Sequence, residues 1–296
     1  MWQQLFKEIN EGNFKSLARC ISLIENEAPG YETILEQLPP SAIPVIGITG
    51  PPGAGKSTLA DALIELMVGK GKKVGVLCID PSSPFNLGAL LGDRIRMSSW
   101  YNNPHVFIRS LATRGSLGGL HPKIIEISDL MKAAGFDFII IETVGVGQSE
   151  VEIAGLADTT IVVVVPEAGD AIQTMKAGLM EIADIFVVNK ADRPGADLFV
   201  KNLGMMLAPA FHQKQFEIPI IKTVASKKTG VDVLLDKINN RQSLTNDKRF
   251  WLLAEKAYHL IQLKRMKGVD KEILKKEIES IAISGEFNLY KFVQTK

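Results

Sequence analysis

The chain has 296 residues, 34 basic and 33 acidic side chains, a formal net charge of +1, 46% apolar residues and 23% charged ones. That length suits one large α/β domain with extensions, or at most two domains, and the composition excludes collagen-like, disordered and disulfide-framework classes. The charge balance speaks against a nucleic-acid or anionic-membrane partner, and Cys20 and Cys78, far apart and without C-x-x-C spacing, point to a reducing compartment and no structural zinc.

The start, MWQQLFKEIN, has a helical pattern with acidic residues nearby, unlike a secretion signal or transit peptide. Phe14, Leu17, Ile21 and Ile24 recur at helical spacing after Asn13, a residue type that caps helices. Ile34, Leu35 and Leu38 predict a short helix stopped by Pro39-Pro40, and residues 39–44 read as a linker. Residues 1–40 are thus expected to form a helical segment. From Val45 the pattern becomes strands and helices in alternation. Strands are expected at 43–50, 72–80, 105–111, 136–143, 159–166, 183–192 and 218–225, with helices at 56–68 and 124–134. Near-continuous β-branched runs of this kind predict a mostly parallel α/β sheet covered by helices on both faces, over residues 41–245. Residues 246–296 carry two helical stripes, Phe250, Leu253, Ala257, Leu260 and Ile261, then Leu274, Ile278 and Ile281, with a break at Gly268. This extension either packs back on the domain or grips a second chain. No apolar run approaches 18 residues, so a membrane span is not expected and a cytoplasmic location is.

The segment Gly50-Pro51-Pro52-Gly53-Ala54-Gly55-Lys56-Ser57 fits G-x-x-x-x-G-K-[ST], between a predicted strand and a predicted helix. Glycines let successive N–H groups turn inward toward an anion, and the helix N-terminus adds its dipole. Lys56 reaches the outer phosphates, and the Ser57 hydroxyl suits a magnesium ion. The base is read elsewhere. Asn189-Lys190-Ala191-Asp192 ends a predicted strand, where ligands meet an open parallel sheet. A carboxylate at Asp192 accepts two hydrogen bonds from the N1 and 2-amino groups of guanine, a donor pair adenine lacks. Val224-Ala225-Ser226 stands where guanine-binding proteins carry a Ser-Ala turn whose backbone N–H meets the guanine O6, with valine in place of serine.

Three carboxylates are candidates for the phosphate side: Asp80 and Glu142 at strand ends, and Asp93 in a loop. Magnesium prefers oxygen ligands and keeps waters, so Asp80 or Glu142 would hold it directly or through water. Glu142-Thr143-Val144-Gly145 carries glutamate where many GTPases have aspartate in D-x-x-G, and the Gly145 N–H is a candidate ligand for the γ-phosphate. The glycine-rich run 145–150 reads as a switch loop, and Gln148 lies within reach in sequence without an assignable role as base.

Together these residues resemble the MeaB-like GTPases, the methylmalonyl-CoA mutase-associated family formerly described as ArgK or LAO/AO transport ATPases. The matching stretches are GITGPPGAGKST (47–58), CIDPSSPF (78–85), LGDRIRM (91–97), RGSLGGL (114–120), ETVGVGQSE (142–150) and GDAIQTMKAGLMEIADIFVVNKAD (169–192). The resemblance covers roughly residues 10–245. It implies a P-loop GTPase fold shared with nickel-insertion metallochaperones. It implies GTP hydrolysis with Mg2+, stimulated by a cobalamin-dependent acyl-CoA mutase whose adenosylcobalamin the protein loads, releases and protects. It implies a homodimer joined through the 246–296 extension. By position, Gly50 to Thr58 would bind the phosphates, Asn189, Lys190 and Asp192 the guanine, and Val224 to Ser226 its carbonyl. Ser57, Asp80, Asp93 and Glu142 would surround the metal, with Lys56 and Glu142 in catalytic positions. Gln173 and Lys176, in the family's additional switch loop, would serve stimulated hydrolysis, while Met175 and Met180 nearby suit a core better than a contact. Residues 86–89 and 110–113 depart from the family's pattern, which leaves the client mutase open among methylmalonyl, isobutyryl, ethylmalonyl and other types. The competing reading is a metallochaperone delivering nickel, but His105, His121, His212 and His259 are scattered and neither cysteine has a histidine at ligand spacing. A small-substrate kinase and a non-enzymatic scaffold are weaker: no motif announces an acceptor site, and the phosphate and magnesium residues are all in place.

Overall fold

The computed structural model describes residues 2–80, 97–113, 120–143, 152–168, 180, 182–211, 218–241, 246–283, 285 and 287–296; for 208–211, 241, 246–249, 251 and 252 only the backbone is described. The predicted loop positions Asp93, Gly145, Gln148, Gln173, Met175 and Lys176 lie outside this set.

Seven strands form one sheet in the order β3-β2-β4-β1-β5-β6-β7. They are β1 (Val45–Thr49), β2 (Val74–Asp80), β3 (Val106–Ala112), β4 (Phe138–Glu142), β5 (Thr159–Val164), β6 (Ile185–Val188) and β7 (Ile220–Lys222). All six neighbouring pairs run parallel, as their β-branched runs require. The helices are α1 (Trp2–Asn10), α2 (Phe14–Glu25), α3 (Tyr31–Leu35), α4 (Lys56–Gly69), α5 (Ile124–Ala133), α6 (Ala196–Phe211), α7 (Val231–Arg241), α8 (Asn246–Met266), α9 (Lys271–Ala282) and α10 (Leu289–Gln294).

The period of two along each strand sorts side chains onto two faces. Ile46 and Ile48, Val74 and Val76, Ile140, Val163 and Val187 face α4 and α7, whose Leu59, Leu63, Leu234 and Ile238 complete that core. On the opposite face Leu77, Ile79, Phe107, Ile139 and Ile141 meet α5 and the N-terminal helices through Ile9, Leu17, Ile21 and Ile24. A third cluster joins Val162, Val164, Phe186 and Val188 to Phe199, Leu203 and Leu207 of α6, with Met180 packed against it. Both faces are therefore covered by helices, as the sequence pattern predicts.

The N-terminal helices are built into this layer. Asn13 caps α2, its side chain accepting from the Lys15 and Ser16 N–H groups. Phe14 then stacks on Phe136 at 5.6 Å and tilts against Phe107 at 5.5 Å. Arg109 of β3 pairs with Glu25 of α2 and donates to Ser22 Oγ at 2.9 Å. Lys123, before α5, donates to the Tyr31 hydroxyl at 2.9 Å and pairs with Glu27 at 3.0 Å. Burial works against its charge, but these oxygen partners prevail and hold its ammonium above the ordinary lysine range. Cys20 and Cys78 are both free and buried, and burial pushes the Cys20 thiol up to about 11.

Residues 1–249 and 250–296 form two compact units. In the second, Asp270 caps α9 and Asn288 caps α10 through their side chains. Phe287 meets Phe292 at 6.0 Å, and Lys296 pairs with Glu277. Phe292 is buried, whereas Phe250, Leu253, Tyr258, Ile261, Ile273 and Ile283 are exposed. Among the described residues no helix is long and apolar enough to cross a membrane.

Leu17→Ala tests whether the N-terminal helices share the core. Leu17 is fully buried, so we expect a loss of about 2–5 kcal/mol in urea unfolding. Far-UV and tryptophan signals should shift together. A change under about 0.5 kcal/mol, the range of surface substitutions, would mean that α2 only rests on the sheet.

Candidate functional site

The site forms where β1 ends and α4 begins, flanked by β4 on one side of β1 and β5 on the other. Two glycines are forced there. Gly50 has φ +135°, and a Cβ on it would lie 2.1 Å from the Val163 carbonyl oxygen. Gly55 has φ +88° at the N-cap of α4, and its Cβ would lie 2.4 Å from Asn189 Nδ2. The loop between them closes with the Ala54 N–H donating to the Pro51 carbonyl at 3.3 Å. This is the strand–turn–helix geometry of an anion cradle.

Lys56 is buried, and its ammonium donates to the Gly50 and Pro51 carbonyls at 2.9 and 3.2 Å. Ser57 donates its hydroxyl to Glu142 Oε1 at 2.6 Å. Glu142 closes β4, and the parallel register sets it beside Cys78 of β2, two residues before Asp80. Asp80 and Glu142 are both buried. The adjacent Thr143 donates to Thr49 Oγ1 at 3.0 Å, tying the ends of β4 and β1. Of the four metal candidates, Ser57 and Glu142 are thus in contact and Asp80 ends the strand next to β4; Asp93 is outside the described residues. A hydroxyl and carboxylates are the hard oxygen donors magnesium takes, with room for waters and phosphate oxygens. Among the described residues, no group of three or more His, Cys, Asp or Glu is placed to hold a metal.

The second half of the site hangs on one buried amide. Asn189, just after β6, donates from Nδ2 to the Ala54 carbonyl at 2.9 Å. Its Oδ1 accepts from the Thr223 hydroxyl and the Ala225 N–H, both at 3.1 Å. The N-K-x-D segment is therefore bolted to the phosphate loop and to the Val224–Ser226 turn at once. Lys190, at φ +55°, adds a bond from Nζ to the Gly53 carbonyl at 2.8 Å. Within the turn, the Ala225 N–H is held by Asn189 and the Lys227 N–H by the Val224 carbonyl at 2.8 Å. Asp192 faces outward and takes a hydrogen bond from Lys227, which holds its carboxyl below the usual carboxylate range.

The structure brings together Gly50 to Thr58, Glu142, Asn189, Lys190, Asp192 and Val224 to Ser226 at one end of the sheet. Thr223 and Lys227 are additional contacts that sequence reading misses. Thr223 lies within an unremarkable β-branched run, and no motif marks Lys227.

The family described as methylmalonyl-CoA mutase-associated GTPase MeaB matches residues 17–277. The chain belongs to the MeaB family. A Pyrococcus horikoshii protein named as a GTPase is 45% identical over 282 residues, covering 94% of this chain and 88% of the relative. GTPase ArgK of Escherichia coli is 40% identical over 192 residues, 63% of this chain and 58% of its own. The fused isobutyryl-CoA mutase of Geobacillus kaustophilus is 36% identical over 256 residues, 79% of this chain and 24% of that longer one. Among solved structures, a LAO/AO transport system kinase superposes with a TM-score of 0.71 at 23% identity, covering 99% of this chain and 95% of that one. HypB of Helicobacter pylori, solved in complex with nickel, gives a TM-score of 0.50 at 21% identity over 73% of this chain and 96% of its own. These two likenesses show the P-loop GTPase fold. The chain is a MeaB-family GTPase, an enzyme that hydrolyses GTP.

Gly55→Ala tests the join between the two halves of the site. The new methyl meets Asn189 on a left-handed backbone, a strain of about 1–3 kcal/mol. We expect GDP affinity to fall at least about tenfold by titration calorimetry, since about 1.4 kcal/mol is a factor of ten. Wild-type affinity would show that the loop does not depend on the Asn189 contact.

Proposed function

We propose that this GTPase serves a cobalamin-dependent acyl-CoA mutase, gating the loading of adenosylcobalamin, promoting release of damaged cofactor and protecting the mutase from inactivation. The observation that carries this reading is the Geobacillus kaustophilus relative: a segment similar to this chain is part of a protein named as a fused isobutyryl-CoA mutase. The family's description as mutase-associated supports it. No observation favours the nickel-delivery alternative, since the HypB likeness concerns the fold alone.

In this reading the chain's own residues do most of the work by positioning. The loop from Gly50 to Thr58 cradles the phosphates through the N–H groups of its non-proline residues, and Lys56 turns from the loop carbonyls to the outer phosphate oxygens. Ser57 and Glu142, already joined, would hold the Mg2+ together with Asp80 and Asp93. When bound, the metal would supply charge neutralisation at the phosphate oxygens. The Gly145 N–H meets the γ-phosphate, so its loss is felt in the segment that follows Glu142. Gln173 and Lys176 act in hydrolysis when the mutase engages their loop. Asp192 and the Val224–Ser226 turn read guanine. Residues 1–40 form a helical layer, 41–245 the GTPase domain, and 246–296 a dimerisation arm that makes the protein a cytoplasmic homodimer. The exposed apolar side chains Phe250, Leu253, Ile261 and Ile273 are available to such an interface and support that role.

The deciding experiment is GTP turnover by the purified protein, alone and with cobalamin-dependent acyl-CoA mutases added one at a time. Acceleration by one of them identifies the client. GTP binding with no acceleration by any mutase would overturn the proposal. A second test addresses the base. Asp192→Asn exchanges one acceptor oxygen for a donor, so preference should move from GTP toward xanthosine triphosphate. An unchanged preference would place guanine recognition elsewhere.

A further inference from the structure

We propose that Lys227 is a specificity-determining residue of the guanine subsite, fixing the Asp192 carboxylate as the double acceptor that a guanine edge requires. The inference rests on reading Asn189–Asp192 as the base-recognition segment, and extends it to a residue outside that motif.

The geometry is local and specific. Lys227 Nζ lies 3.2 Å from Asp192 Oδ2. Two exposed side chains forming one ion pair would ordinarily carry little meaning. Here the backbone beneath Lys227 is held on both sides. The preceding Ala225 N–H is gripped by Asn189 Oδ1 at 3.1 Å. The following Lys228 adopts a left-handed conformation at φ +60° and pairs through Nζ with Glu65 of α4, the helix that starts in the phosphate loop. The Val224–Thr229 bridge closes the turn. Lys227 therefore projects from a turn tied to both halves of the nucleotide site, and it reaches the one carboxylate that the base would need.

The hydrogen-bond inventory shows why this helps. A carboxylate has two oxygens and about four lone-pair positions. The guanine N1–H and 2-amino groups take one position on each oxygen. The ammonium takes a further position on Oδ2, so all three donors are satisfied together. Xanthine presents a carbonyl in place of the 2-amino group, and adenine lacks the donor pair. A held, ionised, acceptor-only carboxylate thus favours guanine and sets an oxygen against xanthine. Holding it before binding also removes part of the ordering cost when the base arrives.

The test titrates GDP, XDP and ADP into the full-length protein and its Lys227→Met and Lys227→Arg variants, at low salt and at about 1 M salt. Methionine keeps the stem and removes the charge. We expect Lys227→Met to weaken GDP about two- to fivefold at low salt, the range of an exposed ion pair. XDP affinity should not fall, so the GDP-to-XDP ratio drops, and Lys227→Arg should restore it. At about 1 M salt the screening length is about 3 Å, and the wild type and Lys227→Met should converge. Lys227 and Asp192 are both solvent-exposed, so a matching melting curve without nucleotide identifies a folded variant. A guanine-selective wild type whose Lys227→Met variant binds GDP equally or more tightly at low salt overturns the role of Lys227 and leaves the base-recognition reading standing. A wild type that does not prefer GDP over XDP and ADP overturns that reading, and this proposal with it.

Discussion

The site depends on the Asn189 side chain. Its amide is buried, and it spends its oxygen on the Thr223 hydroxyl and the Ala225 N–H, and its nitrogen on the Ala54 carbonyl. Three segments far apart in sequence, the phosphate loop, the end of β6 and the turn after β7, are set in register by that one planar group. The constraint propagates. Gly55 has no side chain because Asn189 occupies the space. The turn that carries Lys227 and Lys228 is pinned at Ala225. A buried polar network of this kind is costly when incomplete, so its partners are closely specified. Asparagine fits because it offers donor and acceptor on one rigid fork; aspartate in its place would offer no donor to the Ala54 carbonyl.

Much of this was legible in the sequence because the phosphate loop and N-K-x-D fall where strands meet turns. The parallel sheet followed from runs such as TTIVVVV, which leave no polar face for solvent. Asn13 announced its helix correctly. The strand ends were less legible. Residues 218–225 read as one β-branched run, but only Ile220–Lys222 lie in the ladder. Val224 leaves the sheet to pair with Thr229 across a turn, which hydropathy does not record. Helices α6 and α7 were also missed as distinct elements. The α6 sequence, ADLFVKNLGMMLAPAF, mixes glycine and proline into apolar content with no clear stripe. At the site, Thr223 and Lys227 escaped because their significance lies in what the fold sets opposite them.

The helical tail illustrates the reverse case. Its stripes were visible in sequence, yet what they face was not. Within residues 250–296 the described caps, ring contact and ion pair are local, and most large apolar side chains are exposed. Short-range hydrogen bonds define these helices, while the hydrophobic term that normally fixes a helix in place is largely unspent within them. The first 40 residues, equally helical by pattern, put theirs into the sheet through Leu17, Ile21 and Ile24.

The strand order decides what borders the phosphate loop. With β1 between β4 and β5, the phosphate loop is bordered by the chain leaving Glu142 on one side and by the chain leaving Val164 on the other. These exits belong to different stretches of sequence and leave the sheet on opposite flanks of the loop. The loop is thus bounded by two segments that are neighbours across β1 in space and some twenty residues apart along the chain, so any shift of the loop bears on both at once.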